Sequence, residues 1–71
     1  MDKISKVFGK NLRQLRSDKG LTLEELEKAT DITAFQIGRY ERGVASANSR
    51  TIVKLCRGLG VTPDKLFKGL I

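Results

Sequence analysis

At 71 residues the chain has room for one domain. A domain of this size buries only about 60% of its unfolded surface, so a compact local architecture such as a helical bundle is expected. Fourteen Lys and Arg against 8 Asp and Glu leave a net charge of +6, which favours a polyanionic partner such as nucleic acid, although a basic surface can equally be a solubility device. The single cysteine, Cys56, excludes an intramolecular disulfide, and the absence of histidine removes both an imidazole base and a His-containing zinc site. With no long apolar run there is no secretory core segment and no membrane span, so the expectation is a cytoplasmic protein without cofactor.

From Ile4 the apolar residues recur at Ile4, Val7, Phe8, Leu12 and Leu15, the spacing of one helix face, and Gly20 follows as a stop. The other faces of this first helix carry Lys3, Lys6, Lys10, Arg13, Arg16 and Lys19, ordinarily a solvated surface and alternatively one that brushes phosphates. Thr22-Leu23-Glu24-Glu25 has the form of a capping box, with acids in the first turn at the positive end of the helix dipole. A second helix bearing Leu23, Leu26 and Ala29 therefore starts there. It ends at Thr30-Asp31, since Asp tolerates the left-handed conformation better than most residues.

Thr33 begins the third helix as N-cap, Gln36 completes the pattern of another capping box, and Gly43 marks the end. At roughly 100° per residue Ala34, Ile37, Tyr40 and Glu41 share one side, while Phe35, Gly38, Arg39 and Arg42 share the other. The first side is suited to burial and the second to a partner. Two short helices joined by a tight turn make a helix-turn-helix, in which the second is offered to the DNA major groove.

Asn48 or Ser49 can cap a fourth helix whose Ile52, Leu55, Cys56 and Leu59 form an apolar stripe ending at Gly60. Cys56, on that stripe with no histidine to activate it, is a small core residue. Thr62-Pro63-Asp64 starts a short fifth helix, with proline at the first helical position. Leu66, Phe67, Leu70 and Ile71 then expose more apolar surface than a short tail buries by itself, so they either close the core or meet another subunit.

In the order and spacing of these pieces the chain resembles the lambda-repressor-like, or XRE-type, helix-turn-helix family from about Val7 to Phe67. The matching segments are F-G-K-N-L-R-Q-L-R-S-D-K-G-L-T, E-E-L, I-T-A-F-Q-I-G-R-Y-E-R-G and T-I-V-K-L-C-R-G-L-G-V-T-P-D-K-L-F. The resemblance implies an all-α five-helix bundle that binds operator DNA as a homodimer with its third helix in the major groove. Carried over by position, it implies base reading by Ala34, Phe35, Gly38 and Arg39. It also implies phosphate contacts at Thr33, Arg42, Ser46 and Ser49, and a structural ion pair between Arg16 and Glu41.

Some positions depart from the family pattern. Leu23 stands where relatives place a polar phosphate contact, Glu27 replaces a small residue packed between the second and third helices, and Asp31 replaces a turn glycine. An unpaired carboxylate inside that crevice would cost several kcal/mol, so the stem of Glu27 is expected along the crevice with its carboxylate in water. Gly38 is open to two readings, a close approach to a base or a neutral exposed position. Phe35 is as well, its ring meeting a thymine methyl or folding back over the turn. The resulting reading is a sequence-specific, double-stranded-DNA-binding transcriptional regulator of repressor type. The alternative uses the same bundle as an antitoxin or other protein-interaction module, and an enzyme is disfavoured for want of catalytic groups.

Overall fold

The computed structural model describes residues 2–70, which form five helices and no strands. They are α1 (Lys3–Asp18), α2 (Leu23–Thr30), α3 (Ala34–Glu41), α4 (Ser49–Leu59) and α5 (Pro63–Leu66). Each helix contributes one side chain that is fully buried: Leu12, Leu26, Ile37, Leu55 and Leu66. Phe8, Ile32, Tyr40, Cys56 and Leu59 complete the core. Removing such a side chain from water contributes about 1.5–3 kcal/mol, so this single centre is what holds the short helices together.

The helix ends follow local chemistry. Asp2 caps α1 by accepting from the Ser5 amide at 2.7 Å, and Ile4, in the first turn, is 62% exposed rather than on the core face. Thr22 and Glu25 form the reciprocal capping box at α2, with bonds of 2.8 and 3.0 Å. Asn48 rather than Ser49 caps α4, accepting from the Thr51 amide at 2.9 Å. At α5 the Thr62 hydroxyl bonds the Asp64 carboxylate and makes no backbone cap. Asp31 closes α2 at φ 62°, the expected left-handed residue.

Two glycines set how closely the helices cross. A Cβ on Gly9 would overlap the Tyr40 carbonyl oxygen and lie 2.8 Å from that of Glu41, so α1 meets the end of α3 backbone to backbone. A Cβ on Gly58 would overlap the Thr30 methyl, so α4 rests on the end of α2 against that side chain. Thr30 is buried there, with its hydroxyl donating to the Leu26 carbonyl at 2.7 Å and accepting from the Ile32 amide at 3.2 Å. Ala29, expected on the apolar face, is exposed.

The tail closes the core. Leu66 is fully buried, and the Phe67 ring packs on Phe8 with centroids 5.5 Å apart and planes tilted by 41°. The Asn11 side-chain amide donates to the Leu66 and Lys68 carbonyls at 2.8 and 2.9 Å, tying the end of α5 to α1. Leu70 is half-buried, and Ile71 lies outside the described residues.

Candidate nucleic-acid interface

Helix α3 is fixed from behind by α1. Arg16 Nε donates to Glu41 Oε2 at 2.6 Å and Nη2 to Oε1 at 3.0 Å, a two-pronged pair, while Nη1 donates to the Leu21 carbonyl at 2.9 Å. The two side chains are 17% and 7% exposed. Glu41 is the last residue of α3, where the helix dipole disfavours a carboxylate, so the arginine offsets both desolvation and dipole. The hydrogen bonds it donates to Glu41 in turn raise the Arg16 pKa above its ordinary value. Among the described residues no buried side-chain nitrogen or oxygen lacks a partner.

The turn from α2 holds the other end. The Thr33 hydroxyl accepts from the Gln36 amide at 3.1 Å, but the reciprocal bond expected from the Gln36 side chain is not made. Glu27 supplies a cap instead: its Oε1 accepts from the Ala34 amide at 2.8 Å. The carboxylate thus remains at an exposed residue, as expected, but is spent on the first amide of α3 rather than left to water. Sequence reasoning missed this contact. Its only signal was an acid one turn before the end of a helix whose successor begins after three intervening residues.

On the outward side Phe35 is 74% exposed, so its ring does not fold back over the turn. Arg42 is exposed and Arg39 half-buried, and among the described residues neither guanidinium makes a side-chain hydrogen bond or an ion pair. Gly38 is buried rather than a neutral exposed position: a Cβ built there would sit 3.3 Å from Arg42 Nη1 and 4.0 Å from Leu23 Cδ1. The Arg42 side chain folds back over it. Leu23, in place of a polar residue, flanks the same spot.

The remaining candidates are spread more widely. Thr33 is exposed, with its hydroxyl committed to the Gln36 amide, and Ala34 is half-buried. Ser46 is exposed, and its hydroxyl lies 3.2 Å from that of buried Ser5 in α1 rather than on α3. Ser49 is exposed as the first residue of α4. Helix α3 therefore brings together Phe35, Arg39 and Arg42, while Ser46 and Ser49 lie on the following loop and helix. Guanidiniums free of internal partners can form two parallel hydrogen bonds to a phosphate or to guanine O6 and N7.

Chemistry of other kinds finds little support. Cys56 is buried, and desolvation pushes its thiol pKa up, away from the reactive thiolate. No cluster of metal-ligating side chains occurs among the described residues, and none of their helices is long and apolar enough to cross a membrane.

Comparison with known proteins places this geometry. The chain belongs to the helix-turn-helix domain family, whose model matches residues 7–66. It is 36% identical over 63 residues to the SPbeta prophage-derived uncharacterized HTH-type transcriptional regulator YonR of Bacillus subtilis (strain 168), covering 89% of this chain and 58% of that protein. The chain thus spans little more than half the length of that relative. Among solved structures, the restriction-modification controller protein C.AhdI from Aeromonas hydrophila superposes with a TM-score of 0.85 at 35% identity, covering 89% of this chain and 96% of that one. The P22 c2 repressor, solved with a synthetic operator, superposes with a TM-score of 0.79 at 26% identity, covering 87% and 94%. The family is a DNA-binding class of transcriptional regulators, not an enzyme class.

Proposed function

We propose that this protein is a sequence-specific transcriptional regulator of repressor type, acting in the cytoplasm without cofactor. Two copies related by a two-fold axis bind a palindromic operator, each with α3 in the major groove and half-sites about 34 Å apart. The observation that carries the reading is the outer side of α3, where Phe35 and the unpartnered guanidiniums of Arg39 and Arg42 stand on a helix fixed at both ends. Arg39 reads a guanine, Phe35 meets a neighbouring thymine methyl, and Arg42 contacts phosphate. Thr33, Ala34, Ser46 and Ser49 line the same contact at its edges. Because Gly38 lies under Arg42, it serves as the seat of that side chain until Arg42 extends toward the backbone of the DNA.

Selection from a random pool of duplex DNA tests the proposal. The expected product is an inverted repeat with a guanine in each half-site, bound by two copies of the protein. Failure to enrich any sequence would remove the DNA reading and leave the exposed Phe35 ring as the docking point of a protein-interaction module such as an antitoxin.

A further inference from the structure

The amides that open a helix form a ready seat for an anion, since they point outward and carry the positive end of the dipole. In α3 part of this seat is taken from inside the molecule. Glu27 Oε1 holds the Ala34 amide at 2.8 Å, and Thr33 holds the Gln36 amide through its hydroxyl at 3.1 Å and the Ile37 amide through its carbonyl at 2.9 Å. A DNA phosphate therefore meets a carboxylate at this end of α3, with the Ala34 and Gln36 amides already bonded. The carboxylate is also unneutralised, because the only ion pair among the described residues is Arg16–Glu41 and Glu27 is exposed. A negative charge thus stands at the end of the helix whose N-terminal residues approach the base edges in a helix-turn-helix complex.

We propose that Glu27 is a specificity-determining residue of this interface. Its carboxylate holds α3 in position and at the same time repels the phosphates of DNA that is not correctly seated. Binding then depends on Arg39, Arg42 and Phe35 finding their partners. The charge costs affinity on every duplex, and the cost is largest where base contacts do not hold the backbone clear of the carboxylate. The inference rests on the DNA reading above and adds to it a residue that works against indiscriminate binding by a chain of net charge +6.

The test is Glu27→Gln, which keeps an oxygen to accept from the Ala34 amide and removes only the charge. Affinity of both proteins is measured for the selected operator and for a random-sequence duplex, from low to moderate salt. The expected result is a gain of roughly fivefold on the random duplex at low salt, what one unit charge near a phosphate in water is worth, shrinking as salt screens it. The gain on the operator is smaller, so the ratio of the two affinities falls. Unfolding of both variants is followed in parallel: Glu27→Ala, which loses the charge and the cap together, should show the salt-dependent gain with lowered stability, whereas Glu27→Gln should show the gain with stability near that of the parent. Equal affinities of Glu27→Gln and the parent on the random duplex at low salt, or a gain that salt does not change, would overturn the proposal. Parent protein that binds neither duplex would overturn the DNA reading itself, and this inference with it.

Discussion

Arg16 and the pair Arg39 and Arg42 are the same kind of side chain in opposite circumstances, on the two sides of one short helix. Behind α3, every donor group of Arg16 has a protein partner: Nε and Nη2 meet Glu41, and Nη1 meets the Leu21 carbonyl. In front, the guanidiniums of Arg39 and Arg42 make no such bond among the described residues. A buried charge must be matched inside the protein, because the lost hydration has no other replacement. A charge that remains hydrated needs no match, and can exchange water for a partner when one arrives. The contrast separates arginines that build this protein from arginines left free for binding.

The largest effect expected from breaking the contrast is on the inner side. Glu41→Ala strands Arg16 in the seam between α1 and α3 and should lower stability by about 3 kcal/mol or more, read from urea unfolding. A loss below about 1 kcal/mol, the range of surface pairs, would mean that the seam is open to water. Gly9→Ala attacks the same seam without touching a charge. Its methyl would meet the Tyr40 and Glu41 carbonyls, and overpacking of this kind costs about 1–3 kcal/mol in the same assay.

On the outer side, stability should hardly change while binding does. Arg39→Ala should weaken the selected operator by about 1–3 kcal/mol and relax selection at one base pair, whereas Arg42→Ala should weaken all sequences alike and lower the salt slope by about 1. Arg39→Lys should rescue little, because an ammonium lacks the planar fork. Titration of each variant against an operator and its guanine-substituted form separates the roles, and an equal loss on both forms would assign Arg39 to phosphate.

The smallest effect concerns the helix ends. The Thr22 amide holds the Glu25 carboxyl below its ordinary pKa, and the Ser5 amide does the same for Asp2. A lowered folded-state pKa contributes stability that is present above the unfolded value and lost as pH falls through the folded one. Both caps are exposed, so the expected change is a modest drop in melting temperature between pH 5 and pH 3. Glu25→Gln should flatten part of that drop.

Much of this molecule is written in local sequence. Five helices can be placed from caps and apolar spacing because an N-cap such as Thr22 and a left-handed stop such as Asp31 act on amides within a few residues of themselves. The outward placement of Phe35 and Arg42 follows from the helical period alone. Arg16 and Glu41 could be matched only through resemblance, since nothing in a window of sequence joins positions in different helices.

What tertiary structure alone decided are the contacts for which several residues compete. Ile4 has the right spacing for the core, yet in the first turn of α1 it is left outside. Gln36 has the right spacing to complete the α3 cap but makes no bond back to Thr33, while the packing of α2 on α3 brings Glu27 to the Ala34 amide. Gly38 faces outward by periodicity, yet Arg42 folds over it because no side chain stands in the way. Local signals set which residues can be helical and which way they face, since those depend on bonds a few residues long. Which acid, which glycine and which carbonyl meet depends on how five short helices share one core, and that is settled only when the whole chain is packed.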